Sequence, residues 1–190
     1  MAAPHSSRSP RSLKARALQW LAQRDQSRVE LRRKLLRHAR ADLAASVTSD
    51  GGNAGDLAAD DDLAERLAGE VDAVLDWLEA HGYLSAERFV ESRVHARAER
   101  YGNVRIRQEL QQHQLAVSGE LAQTLAASEA ERARAVRARR FGQPPRDAAE
   151  RARQARFLIG RGFSPDAVRA ALRDPGTAAD AGEEVPAADD

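Results

Sequence analysis

Three stretches decide the fold: "ELRRKLLRHA" (30–39), "RIRQELQQHQ" (105–114) and "QARFLIGRG" (154–162). Aligned, they place Leu35, Leu110 and Leu158 in register, each followed three residues later by His38, His113 or Arg161. The leucines are 75 and 48 residues apart, and the first interval contains a 28-residue acidic stretch, 41–68, whose removal leaves 47. Three units result, 13–82, 84–127 and 129–173, of 42 residues without the insertion, 44 and 45. A repeat of this size is a helical unit that cannot bury its apolar face alone and stacks on its neighbours. The expectation is an elongated, curved array of three tandem three-helix repeats.

Local periodicity agrees. Apolar residues recur at three- and four-residue spacing in Leu13, Ala17 and Leu21, in Leu31 and Leu35, in Val71, Val74, Leu75 and Leu78, and in Val168, Ala171 and Leu172. No sustained alternation of period two appears. Ser27-x-x-Glu30 fits a capping box, and Ser164-Pro165-Asp166 sets a cap, a first-turn proline and an acid in order. Gly82, Gly102, Gly142 and Gly162 read as helix stops. The fold class is all-α, with room for roughly nine short helices at about 11–12 residues each.

Composition narrows the function classes. A mean hydropathy of −0.60 with 31% charged residues suits a soluble protein. No apolar run approaches the roughly 20 residues of a membrane span, and "MAAPHSSRSPRS" (1–12) lacks the apolar stretch of a signal peptide, so a flexible N-terminal segment and a cytoplasmic location are expected. The chain has no cysteine, which closes off disulfides, thiolate metal sites and a cysteine nucleophile.

Charge is unevenly distributed. The formal net charge is +1, but 41–68 holds seven acids and one base, and 174–190 holds six acids and no base. The remainder carries 29 bases against 16 acids, a net of +13. The insertion, with Gly51-Gly52 at its centre, buries too little apolar area to offset chain entropy, so disorder with a helical turn near 61–67 is expected, and the tail 174–190 reads the same way. Both segments are read as solvating the protein. The sharper alternative, tethered polyanions that compete for the basic core, is blunted by screening over about 8–10 Å unless the segment contacts the core.

Constellations for catalysis are missing from the sequence. There is no G-x-x-x-x-G-K-[ST] phosphate loop, no H-x-x-x-H pair among the five histidines and no Ser-His-Asp set, so no enzyme, cofactor or metal is expected. His38 and His113, at equivalent repeat positions, are expected near helix ends against the last carbonyls. Glu30 and Glu109 read as a capping or solvated pair.

Cations carry the remaining content. Arg33, Arg37 and Arg40 follow i, i+4, i+7 on one helix face, and Arg28 and Arg32 form a ridge beside it, while Leu31, Leu35 and the Lys34 methylenes face the core. Arg93, Arg97, Arg100, Arg105 and Arg107 gather in the second unit, and Arg132, Arg134, Arg137, Arg139, Arg140, Arg151, Arg153 and Arg156 in the third. A like-signed excess of +13 repels itself without a partner, so a polyanion or an acidic groove is the inferred ligand. The aromatic residues, Tyr101 among them, fall mostly at core-facing positions and give base stacking little support.

Four segments, "RDQSRVELRRKL" (24–35), "GYLSAERFVESR" (82–93), "GNVRIRQEL" (102–110) and "FLIGRGFSPDAVRAAL" (157–172), resemble the RecX family of recombinase regulators, in order, from about residue 13 to 173. The resemblance implies three tandem three-helix repeats and a monomer without catalysis of its own. It implies lodging in the helical groove of the RecA–DNA filament and inhibition of RecA's ATPase, strand exchange and co-protease activities. The expected RecA- or DNA-binding residues are Arg24, Arg28, Arg32, Arg33, Lys34, Arg37, Arg97, Arg100, Arg105, Arg107, Arg139, Arg140, Arg156 and Arg161. DNA, single- or double-stranded, is expected as a partner within the filament. The alternative is a helical module that places basic helices directly on DNA. Two features depart from the family pattern: the insertion, and Gln114 where many relatives have glycine, so the turn before Leu115 is expected to close differently.

Overall fold

The computed structural model describes residues 12–49 and 61–173, which form nine helices and no strand. In chain order these are α1 (Leu13–Leu21), α2 (Arg28–Ser49), α3 (Asp61–Ala80), α4 (Ala86–Ala98), α5 (Asn103–Gln111), α6 (Gly119–Ala127), α7 (Glu129–Phe141), α8 (Ala148–Gly160) and α9 (Pro165–Leu172). The chain divides into two compact units, one running to Ser92 with His113–Leu115 added, the other comprising Arg93–Gln112 and the chain from Ala116 onward.

In the first unit, α1, α2 and α3 pack on one another. Ala17, Leu31, Leu35, Val71, Leu75, Leu78 and Leu84 form its core, flanked by Trp20 and Trp77. Ser12 caps α1 by accepting from the Ala15 N–H at 3.2 Å, and Ser27 Oγ accepts from the Glu30 N–H at 3.1 Å. The second half of the expected capping box is replaced, because the Glu30 carboxylate turns to Arg24 and Lys34. His38 lies inside α2 and not at its end. Arg16 donates to its Nε2 at 2.7 Å, so the ring keeps its proton on Nδ1, 3.1 Å from Asp42. The carbonyl contact expected of His38 is made instead by His81, whose Nδ1 lies 2.8 Å from the Trp77 oxygen after α3.

The reading of 41–68 as a disordered insertion is corrected, except for the helical turn expected near 61–67, which falls within α3. Residues 41–49 extend α2 and 61–68 open α3, with Leu43, Leu63 and Leu67 half-buried; only 50–60 lie outside the described residues, as do 1–11 and the tail from 174. "ADLAAS" and "LAERLA" are strong helix formers beside helices already nucleated, and propagation costs far less than nucleation. Asp61 and Asp62 in the first turn of α3 complement its dipole.

Gln114 is the second correction. It adopts φ 59°, so the turn closes in the left-handed form without a glycine. Neighbouring contacts hold it there: His113 Nδ1 meets Ser27 Oγ at 2.7 Å, and its ring sits edge-on to Phe89 at 4.9 Å. Ser27 and Phe89 are thus contacts of His113, which lies just past the last residue of α5.

In the second unit, α7 packs on α6, α8 and α9. Ala133, Val136, Leu158, Phe163, Ala167, Val168, Ala171 and Leu172 form a core. Ser164 caps α9 with Pro165 in its first turn, as the sequence indicates. Gly102 corrects another expectation, since it begins α5 in extended backbone at φ −80°. A Cβ there would lie 2.2 Å from the Gly162 oxygen and from Phe163 backbone atoms. The Gly102 and Val104 N–H groups donate to the Arg161 and Gly162 carbonyls, each at 3.0 Å, which ties the start of α5 to the turn after α8.

Candidate nucleic-acid and protein interface

The cations of α2 separate into two sets. Arg28 donates to Asp76 at 2.7 Å and to Glu79 at 2.6 Å, and Arg32 grips Asp72 with two bonds of 2.7 and 2.9 Å. Burial lowers the Arg28 pKa, but the bonds and charges of Asp76 and Glu79 outweigh it and raise the pKa above its ordinary value. Its bond to Asp72 raises the Arg32 pKa and lowers that of Asp72. Arg33, Arg37 and Arg40 are exposed, and no carboxylate pairs with them among the described residues. Val29 and Leu36, both half-buried, lie with these arginines around a groove of about 660 Å³ that Gln114 closes at one edge.

Arg24 and Lys34 converge on one acid. Both meet the buried Glu30 carboxylate, Lys34 at 3.0 Å, and Lys34 also donates to Gln26 at 2.8 Å. Burial pushes the Glu30 pKa up, but the hydrogen bonds and charges of Arg24 and Lys34 outweigh it and hold the carboxyl below its ordinary value. Lys34 is thus fixed in the fold, with its ammonium 5.9 Å from the Trp20 ring centre.

The second unit gathers most of the other selected arginines. Arg97, Arg105 and Arg161 surround Tyr101 at 5.7, 4.7 and 5.6 Å from the ring centre. Arg97 pairs with Glu109 at 3.0 Å, as Arg93 does at 3.1 Å, so Glu109 neutralises two cations and neither caps a helix nor stands free. Beside Tyr101 lies a cleft of about 550 Å³, rimmed by the exposed Val104 and Ile159. Arg161 also stands 5.2 Å from Phe157 and lines a hollow of about 370 Å³ with Arg100, Arg139, Arg140 and Glu99. Arg107 and Arg156 are exposed and line none of these concavities.

Two features escaped the sequence reading. Tyr101 is the half-buried hub of an arginine cluster, signalled by Arg97-x-x-x-Tyr101-x-x-x-Arg105. Arg132, grouped there with the surface cations, is structural. It donates to the Ala98, Tyr101 and Leu125 carbonyls at 3.1, 3.0 and 2.9 Å and to Asn103 Oδ1 at 2.6 Å. Burial lowers its pKa, and the charge of Glu129 opposes that. Glu129, itself buried, accepts from the Asn103 N–H at 2.7 Å and from Ser164 Oγ at 2.7 Å.

A fold that is all-helical among the described residues, with arginines that meet no carboxylate there lining concave surfaces, has the features of a binding protein. Comparison with known proteins gives the family. Residues 127–172 match the model of the RecX third three-helix domain, and 87–118 that of the second. The Regulatory protein RecX of Ralstonia pickettii is 47% identical over 163 residues, covering 85% of this chain and 86% of the relative. That of Ralstonia nicotianae is 45% identical over 93% and 96% of the two chains, and that of Leptothrix cholodnii 47% over 88% and 92%. The chain belongs to the RecX family of regulatory proteins, and its fold is one of tandem three-helix domains.

Proposed function

We propose that the protein regulates RecA by binding the RecA–DNA filament, and that Arg33, Arg37 and Arg40 are among its contacts. The reading rests on the segregation within α2. Arg28 and Arg32 are satisfied by α3, whereas the adjacent ridge projects cations with no partner among the described residues, over the half-buried Val29 and Leu36. A solvated face has no need of that division. A ligand offering negative charge along one line and apolar groups between satisfies both parts of the groove. The protein inhibits by occupying filament surface and has no reaction of its own, so ATP hydrolysis, strand exchange and co-protease function fall together.

Binding at three exposed arginines contributes on the order of 1–3 kcal/mol, or about 5- to 150-fold in affinity. The decisive measurement is RecA ATPase on single-stranded DNA, titrated with wild type and with the R33Q/R37Q/R40Q variant, beside gel shift on bare DNA. Inhibition by wild type below one copy per RecA, weakened at least about fivefold in the variant, supports the reading. Tight binding to bare DNA with no effect on RecA would replace it with a direct DNA-binding module.

A further inference from the structure

The cleft beside Tyr101 is chemically unlike the α2 groove. Its lining offers one guanidinium, Arg105, that meets no carboxylate among the described residues, while Arg97 is already engaged by Glu109 of the same lining. Arg161, likewise without a carboxylate there, stands 5.6 Å from the Tyr101 ring centre and lines the neighbouring hollow. The rim of the cleft carries Val104 and Ile159, 43% and 59% exposed, two of the three large apolar side chains exposed among the described residues. A matching ligand places carboxylates on either side of a single branched apolar residue. Bases have little to stack on here, since three guanidiniums already cluster about the Tyr101 ring.

We propose that this cleft is a docking site for the chain's own acidic segment 174–190, centred on Glu183-Glu184-Val185-Pro186. The segment carries six acids and no base, against the unpaired Arg105 and Arg161. Val185 is the apolar residue in this acidic sequence that fits the Val104 and Ile159 rim, and Pro186 biases it to the extended backbone a cleft accepts. Reach is sufficient: Val185 lies twelve residues beyond Arg173, about 40 Å of extended chain, against a radius of gyration of about 12 Å for a compact unit of this length. Tethering supplies the affinity that two ion pairs lack, because a short flexible link gives an effective concentration in the millimolar range. A contact of that strength yields to an external ligand bearing more negative charge, and the segment then acts as a built-in competitor for the arginines of the second unit.

The absence of cysteine makes the test clean. The full chain with Ala187→Cys carries one nitroxide, and the methyl signals of Val104 and Ile159 are compared with the label oxidised and reduced. Docking broadens both signals in the oxidised form at low salt. It also predicts recovery in the folded R105Q/R161Q variant, in a variant with Glu183 and Glu184 changed to Gln, and at about 0.5 M salt, where charges are screened beyond roughly 4 Å. No broadening at low salt, or broadening that survives both variants, overturns the proposal. So does a single-stranded oligonucleotide that shifts the two methyl signals more than removal of 174–190 does. None of these readouts involves RecA, so the result stands apart from the filament assay.

Discussion

The Cβ that Gly102 lacks would stand 2.2 Å from the carbonyl oxygen of Gly162. Gly162 faces a like constraint, since its φ is +80° and its own missing Cβ would fall 2.5 Å from Arg105 Cβ. The start of α5 and the turn after α8 therefore approach as closely as two backbones can. Arg105 and Arg161, which flank this junction, owe their places around Tyr101 to it.

Replacing either glycine with alanine forces the junction apart. Gly162→Ala adds the cost of a left-handed alanine, about 1–2 kcal/mol, to the clash. Gly102→Ala is free of backbone strain but meets rigid backbone atoms, so its cost is steric, on the order of 1–3 kcal/mol as in overpacking. Both variants should lower the urea midpoint at unchanged slope. Gly160→Ala, where a Cβ would meet nothing within 4 Å, is the control and should be neutral or slightly stabilising.

Glu30 makes the first unit sensitive to acid. Its folded pKa lies below the ordinary carboxylate value because Arg24 and Lys34 bond to a buried carboxylate. A depressed pKa contributes stability that is fully present above the unfolded value of about 4.3 and is lost as pH falls through the folded value. Glu30→Gln should cost about 1–2 kcal/mol at neutral pH, and its difference from wild type should shrink as pH falls below the unfolded value of about 4.3. Urea unfolding from neutral pH down past that value measures it, and a constant difference would show that the pairing does not titrate.

Helix number and class were legible because apolar spacing, caps and glycines all point the same way. Helix length was not, since the composition of 41–68 suggested disorder while its two ends carry the propensity to extend α2 and α3. Deleting 42–67 should therefore remove about two turns from each helix, visible as lost circular dichroism at 222 nm. A bridge across 50–60 alone leaves both helices whole. The conformation of Gln114 is not legible locally, because the contact next to it, between His113 and Ser27, spans 86 residues. Among the cations, i, i+4 spacing located the ridges. It could not tell which are neutralised, because the partners of Arg28 and Arg32 lie 40 to 51 residues away on α3. Spacing alone places Tyr101 in the core and Arg132 on the surface; only the packed structure exchanges those roles.

The two ridges of α2 should respond oppositely to the same substitution. Arg28 and Arg32 hold α2 to α3 through Asp72, Asp76 and Glu79, with side chains 37–69% exposed, where such pairs contribute about 0.2–1 kcal/mol each. R28Q/R32Q should lower the thermal midpoint by several degrees, leaving three acids on α3 unpaired. R33Q/R37Q removes like charges that have no partner among the described residues and should leave the midpoint unchanged or slightly raised. Filament affinity should fall more for R33Q/R37Q than for R28Q/R32Q, because only the first pair is available to a ligand without breaking an existing bond. The salt dependence separates a phosphate contact from a protein contact: each neutralised phosphate contributes about 0.7–0.9 to the slope of log K against log salt. A slope shallower by about 1.4–1.8 in R33Q/R37Q assigns both arginines to the DNA backbone. Lost affinity with an unchanged slope assigns them to protein carboxylates in the filament. Unchanged affinity and slope together would return the ridge to solvent and remove it from the interface.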